Sequence, residues 1–264
     1  MAVIENVGLE GVTEDDVELL AEISERAFDT DLQYGSPGEG GPKGYDSPEF
    51  YLKILEYLDC YTILLEGDVV GGVMVGSRLE GHKILERIFV DPTLHRRGIG
   101  TRAMELVFDR YPEAGLWTLG TPEWNVRTKA FYESLGFVQV GWDLGHPDWR
   151  GRWYQLVVDA PEPYEMTPVE ELRDGMKTVD VEGEILEKGV ARQVRSRRRR
   201  WQTLTVANAG LGDESGRVVL VLWNEQIRQV GVGDKVRVEY GYVGSYRGVT
   251  QLNVGRAGKL IKLI

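Results

Sequence analysis

One cysteine, Cys60, is all that the 264 residues contain. It excludes an internal disulfide and any cysteine-cluster metal site. The three histidines, His82, His95 and His146, are too scattered for a zinc motif, so no metal is expected. No stretch approaches ~18 uninterrupted apolar residues, so no helical membrane span and no membrane partner are expected. The opening stretch, MAVIENVGLEGVTEDD, has neither a basic n-region nor an apolar h-region. It predicts no secretory signal and a cytoplasmic protein. There is no internal repeat, and Arg197–Arg200 is the only low-complexity run.

What is present is ordinary in bulk and uneven along the chain. Hydrophobic residues make up 42% and charged residues 28%, which excludes global disorder and collagen-like chains. The length suits one large domain or two ordinary ones. Net charge is −11, but residues 1–160 hold 28 acidic and 14 basic side chains, and residues 161–264 hold 14 and 17. From Leu172 onward the balance is 17 basic to 10 acidic. Such asymmetry predicts different partners for the two halves. Residues 159–170, DAPEPYEMTPVE, are proline-rich and read as a linker between domains over 1–158 and 171–264.

Periodicity sorts the halves by class. In the first, helices are expected over Asp15–Ala27, Phe50–Leu58, Ile99–Arg110 and Val126–Leu135. Strands are expected at Tyr61–Leu65, Val69–Val75, Ile84–Val90, Leu116–Leu119, Phe137–Gly141 and Trp153–Val158, an α/β or α+β domain. In the second, strands at Thr178–Glu187, Gln202–Ala207, Gly216–Leu222, Lys235–Tyr240 and Val249–Val254 suit a small Greek-key barrel, with a short helix at Asn224–Gln229.

Residues 88–101, IFVDPTLHRRGIGT, run from a strand through a turn into a helix. A helix start exposes unpaired N–H groups, and Gly98 and Gly100 let an anion come close. Arg96 and Arg97 add charge at the rim. From this loop alone, an ordinary glycine-bearing turn before a surface helix is an equal reading. Residues 125–137, NVRTKAFYESLGF, tip the balance. Together the two stretches make this half resemble the GCN5-related N-acetyltransferase (GNAT) family, most closely over 84–141.

The resemblance implies an acetyl-CoA-dependent enzyme. The backbone of Ile88, Phe89 and Val90 would hold pantetheine and the acetyl carbonyl. Arg96, Arg97, Gly98, Ile99, Gly100 and Thr101 would cradle the pyrophosphate, and Asn125 would contact the cofactor. Tyr132 would protonate the departing thiolate. His95 stands where the family usually has Gln or Arg, and Gly120 where some members carry a catalytic Glu. Glu123 and Glu86, the latter just before the strand carbonyls, are the nearby candidate bases; a surface or salt-bridged Glu is an equal reading of Glu86, and the base stays open. Residues 29–48 occupy the family's variable substrate loop. The acidic half suits a cationic acceptor such as a polyamine, a lysine or an N-terminal amine.

The second half pairs basic with aromatic residues. Single strands are held by aromatic platforms under bases and basic grooves along phosphates. The stretches LRDGMKTVDV, LGDESGRVVLVLW and VEYGYVGSYRGVTQLNV make it similar to archaeal single-OB-fold single-stranded-DNA-binding proteins. By that resemblance Trp223, Tyr242 and Tyr246 are the base-stacking positions, the tyrosines on a glycine-rich loop or strand edge. Arg192, Arg195, Arg197, Arg198, Arg199, Arg200 and Arg247 form the groove, with Arg256 as an extension, and Trp201 beside the arginine run is a further stacking candidate. The expected partner is single-stranded nucleic acid, DNA before RNA. Three functions accord with these motifs: an N-acetyltransferase localised by the barrel, a binding protein with a CoA-sensing first half, and a small-amine acetyltransferase beside an independent barrel.

Overall fold

The computed structural model describes residues 6–146, 149–158, 166–195 and 203–264, with only the backbone for 256 and 257. Residues 159–165 of the proline-rich stretch, Arg197–Arg200 and Trp201 therefore lie outside the described residues. The chain divides into two compact units, Met1–Val138 with Tyr154–Glu162, and Gln139–Trp153 with Pro163–Ile264.

The first unit is a mixed sheet with helices on both faces. Its elements are β1 (Val7–Gly11), α1 (Val17–Asp29), α2 (Pro48–Ile54), β2 (Asp59–Leu65), β3 (Asp68–Leu79), β4 (His82–Val90), α3 (Ile99–Arg110), β5 (Leu116–Pro122) and α4 (Val126–Ser134). The strands β6 (Val138–Leu144) and β7 (Gly151–Val157) follow. β1 through β4 form an antiparallel meander. β5 is parallel to β4, as the α3 crossover permits.

Alternation along β3 separates two cores. Met74 packs with Leu20, Ile23, Tyr51, Ile54 and Phe89 under α1 and α2. Val73 and Val75, pointing the other way, pack with Leu85, Ala103, Met104 and Val107 of the α3 side. Val17, Leu20, Ala21, Ile23, Ser24 and Ala27 are the buried positions that make α1 amphipathic. Pro48 at its first turn and the Ser47 hydroxyl, accepting from the Phe50 N–H at 3.2 Å, start α2.

The second unit contains β8 (Lys177–Lys188), β9 (Arg192–Arg195), β10 (Thr203–Gly212), β11 (Arg217–Trp223), α5 (Glu225–Gln229), β12 (Lys235–Tyr246) and β13 (Val249–Leu263). β8 pairs β10, β10 pairs β11, β11 pairs β13 in parallel, β13 pairs β12 and β12 returns to β8. The five strands close a barrel, which removes every edge from the ring. Val181, Ile185, Leu211, Leu220, Leu222, Val236, Val238 and Leu252 fill it, all inaccessible to solvent. Val169 and Leu172 join this core ahead of β8. β6 also belongs to this unit and pairs antiparallel with the far end of β13, Leu144 opposite Leu260.

An α/β unit followed by a small all-β barrel is the architecture the sequence predicts. Of the two settings expected for Tyr242 and Tyr246, a loop or a strand edge, the structure gives the strand: both lie in β12, which runs past the expected end at Tyr240. The strand bulges between Glu239 and Gly241, with Tyr240 at φ 52°, and then continues to Tyr246. Arg247 (φ 52°) and Gly248 (φ 80°) then make the two-residue turn into β13.

Candidate functional sites

In the first unit the parallel pairing of β4 with β5 covers only His82 to Ile84 against Leu116 to Thr118. Beyond that register β4 runs on to Val90 and β5 to Pro122 without pairing each other. On its other edge β4 stays paired, with Ile88, Phe89 and Val90 opposite Val73, Gly72 and Gly71. The result is an opening in mid-sheet, lined by backbone N–H and C=O groups that need partners. Glu86 marks the start of the divergence. Arg87 lies opposite Met74 and Leu85 opposite Val75, so Glu86 is a bulge residue. It is exposed, and its carboxylate lies beside Gly76 of β3, where an added Cβ would sit 3.3 Å from Oε1.

The strand leads directly to a donor-rich loop. Arg102 is the first residue to close a helical bond in α3, onto the Gly98 carbonyl at 3.0 Å. The N–H groups of Ile99, Gly100 and Thr101 therefore have no helical acceptor, and the helix dipole adds positive potential. Gly98 caps the helix at φ 82°, and Arg96 adopts φ 62°, a left-handed conformation costing about 1 kcal/mol in a residue with a side chain. The Arg96 and Arg97 side chains are exposed, and among the described residues neither meets a carboxylate. Donors, glycine and two uncommitted cations at one helix start fit a phosphate-bearing ligand.

A buried polar network backs this loop. Asp31 follows α1 and is 5% exposed. Its Oδ1 accepts from Arg127 Nη2 at 2.7 Å and from Asn125 Nδ2 at 2.9 Å. Burial raises the Asp31 carboxyl above its ordinary range, against the pull of Arg127 and both hydrogen bonds. Arg127 Nη1 donates to His95 Nδ1 at 3.2 Å, and His95 Nε2 donates to the Val90 carbonyl at 2.9 Å. A guanidinium can only donate, so Nδ1 must accept and the proton sits on Nε2. Burial and Arg127 lower the His95 pKa, in keeping with a neutral ring. Asp31, Arg127 and His95 were not singled out by sequence motif as a set. They stand 96 and 32 residues apart, and only the fold brings them together.

The expected site residues fall into this frame unequally. The Asn125 side chain is buried and committed to protein. Besides its bond to Asp31, its Oδ1 accepts from the Thr128 N–H at 3.1 Å and so caps α4. Tyr132 is buried on α4 among Phe131, Phe137 and Tyr154. Its hydroxyl makes no hydrogen bond among the described residues, and burial pushes its pKa well above that of free tyrosine.

In the second unit, strand register builds a face. Asn208, Val221, Asn253, Tyr242 and Lys177 are successive partners across β10, β11, β13, β12 and β8. Leu220, Leu222, Val243 and Leu252 alternate with members of this row and point inward, so the row faces out from the barrel, with Val221 in it covered and Asn208, Tyr242 and Lys177 exposed. A second row holds Arg192, Val206 and Trp223 across β9, β10 and β11. Tyr242 and Tyr246 are 44% and 47% exposed, so neither ring is claimed by the core. Trp223 is half-buried, Arg192 and Arg195 are exposed, and the Arg247 guanidinium lies 5.4 Å from the Tyr246 ring centre. Lys177, Asn208 and Asn253 share the face. Their only sequence signal is period-two alternation with buried neighbours.

Comparison with known proteins follows the same division. Residues 24–137 match the Acetyltransferase (GNAT) family, and residues 174–262 match the single-stranded DNA binding protein Ssb-like, OB fold. The single-stranded DNA binding protein Ssb of Saccharolobus solfataricus is 33% identical over 89 residues, 34% of this chain and 58% of that protein. The uncharacterized protein YrkN of Bacillus subtilis is 36% identical over 73 residues, 27% of this chain and 40% of that protein. The chain thus spans less than two thirds of either curated relative. The ribosomal-protein-S18-alanine N-acetyltransferase of Escherichia coli superposes with a TM-score of 0.47 at 18% identity, over 61% of this chain and 99% of that one. The PaiA N-acetyltransferase of Thermoplasma acidophilum, solved with coenzyme A, superposes with a TM-score of 0.46 at 13% identity, over 57% and 98%. The chain carries a GNAT-family domain at residues 24–137 and an Ssb-like OB fold at residues 174–262.

Proposed function

We propose that the first unit is an acetyl-CoA-dependent N-acetyltransferase acting on a primary amine, and that the barrel holds single-stranded nucleic acid, DNA before RNA. The observation that carries the enzymatic reading is the opening between β4 and β5 beside the uncapped start of α3. Acetyl-CoA supplies a thioester; the amine nitrogen bonds to its acyl carbon as the carbon–sulfur bond breaks. The N–H groups of Ile99, Gly100 and Thr101, with Arg96 and Arg97, hold the pyrophosphate. The unpaired edge of Ile88–Val90 holds the pantetheine amides and the acetyl carbonyl. Tyr132 delivers its phenolic proton to the departing sulfur, and burial keeps that phenol protonated at neutral pH. Glu86 takes the proton released by the amine, directly or through water. Asn125 acts through the protein, by setting α4 and Asp31.

On the barrel, Trp223, Tyr242 and Tyr246 stack on bases while Arg192, Arg195 and Arg247 meet phosphates. Arg197, Arg198, Arg199 and Arg200 extend that role, and the barrel concentrates the enzyme near acceptors bound to the same strand. The test is transfer of labelled acetyl groups from acetyl-CoA to host lysate, with and without nuclease, fractionated into protein, nucleic acid and small molecules. Nuclease-sensitive label on protein supports localisation by the barrel; nuclease-insensitive label on a small amine separates the two jobs.

A second reading, a CoA-sensing unit without transfer, is favoured by Gly120 standing where some relatives have a Glu. Tight acetyl-CoA binding with no acetylation of any amine would establish it.

A further inference from the structure

Arg87 stands on β4 beyond its pairing with β5, opposite Met74 of β3 and between the bulge residue Glu86 and Ile88. Its side chain turns to the face covered by α1, α2 and the loop between them. Nη1 donates to the Tyr51 hydroxyl at 3.0 Å and Nη2 to the Lys43 carbonyl at 3.1 Å. The guanidinium carbon lies 5.5 Å from the Tyr51 ring centre, 5.6 Å from Phe50 and 5.9 Å from Phe28. Three rings and a carbonyl hold the group in place, and none of them carries a negative charge.

That is an odd position for a cation in a half with 28 acidic side chains. Several other cations of the unit have found carboxylates: Arg26 has Asp91, Lys83 has Glu113, Arg102 has Glu105 and Arg127 has Asp31, while Arg96 and Arg97, which have none, are exposed to water. Arg87 has none within ion-pair distance among the described residues. A half-buried guanidinium pays part of its desolvation cost and keeps unused N–H donors in a planar fork. That fork matches a carboxylate in two parallel bonds.

We infer that Arg87 binds a carboxylate on the acetyl acceptor, which makes the acceptor an amine with a carboxylate a few bonds away, as in a free α-amino acid. This rests on reading the unit as an amine acetyltransferase. The position suits the role, since a group held at Arg87 lies one residue from the proposed base and one from the strand edge that holds the acetyl carbonyl. The acidic surface would favour a cation at long range, but screening limits that field to about 10 Å, and the contact at Arg87 decides at short range.

The experiment uses the full chain, acetyl-CoA, the common α-amino acids, the carboxamide of each, lysine-bearing peptides and a polyamine. CoA thiol release reports turnover, and calorimetry reports binding of each acid and amide. The acids should exceed their amides by about tenfold in kcat/KM, chiefly through KM, as loss of one charge-assisted contact implies. R87M should bring the acid-to-amide ratio close to one, and R87K should restore part of it. Equal use of acids and amides by the unaltered protein, or a preference for lysine-bearing peptides, overturns the inference while the enzymatic reading stands. If acetyl-CoA binds but nothing in the panel is acetylated, the enzymatic reading fails and calorimetry judges Arg87 alone. Acid binding that R87M abolishes supports the anion site; no acid binding to the unaltered protein refutes it.

Discussion

The two candidate sites are built in opposite ways. In the first unit the decisive feature is missing pairing: β4 and β5 part after Ile84 and Thr118, and backbone groups are left for a ligand. In the barrel every ring strand is paired on both edges, so the backbone has little left to offer and recognition falls to side chains on the outer face. A backbone site tolerates changes of side chain, because every residue carries a C=O and every residue except proline an N–H. A side-chain face does not, because a platform needs a ring and a phosphate contact needs a cation. His95 in place of Gln or Arg in the first unit's loop is readable in these terms. Its ring still engages the strand end, and the donors of the loop are main-chain groups.

Predictions that sharpen this contrast run from large effects to small. Tyr132→Phe removes the one side-chain proton donor proposed for the chemistry, so kcat should fall by about 10²-fold or more with KM little changed. An unchanged kcat across the pH range would remove Tyr132 from the mechanism. On the barrel, Trp223→Ala and Tyr242→Ala should each weaken oligo-dT binding by about 1–3 kcal/mol, the worth of one stacked base. Fluorescence titration of the full chain measures it, and a loss confined to one of the two would place only that ring on the strand's path.

Arg127→Ala tests the buried network by its pH dependence. Asp31 is raised above its unfolded value, so the native state holds that proton more tightly, and stability falls as pH climbs through the raised value. Removing Arg127 raises it further. The variant should lose about 1–2 kcal/mol at pH 7, and less at pH 4, nearer the range in which Asp31 takes up its proton. Denaturant melts at the two pH values decide it; equal losses would mean that packing on Tyr34, not charge, is what Arg127 contributes. The smallest effect belongs to Arg192→Ala. One lost phosphate contact should flatten the dependence of log K on log salt by about 0.7 without altering sequence preference.

Much of the fold was legible along the chain. The buried positions of α1 repeat at helical spacing, and β8 alternates through Val179, Val181 and Ile185. Other elements hide. β1, VGLEG, is short and carries two glycines, and it becomes a strand only because Val7–Gly11 finds β2. β9, RQVR, has one apolar residue in four and exists through its pairing with β10. The end of β12 is hard to read because the bulge at Tyr240 shifts the alternation, which leaves Tyr242 and Tyr246 open between loop and strand edge.

The sequence by itself determined the order of the elements, the glycine–arginine helix start, the aromatic and basic character of the second half, and the class of each domain. These follow from local propensity, turn chemistry and periodicity, which act between near neighbours. The tertiary structure alone decided where β4 leaves β5, that Asn125 turns inward to Asp31, that Arg127 bridges Asp31 and His95, and that Tyr242 shares a row with Lys177 and Asn253. Most of these join residues tens of positions apart. Such arrangements form only when burial of the hydrophobic cores sets the strand registers, and no local preference encodes them.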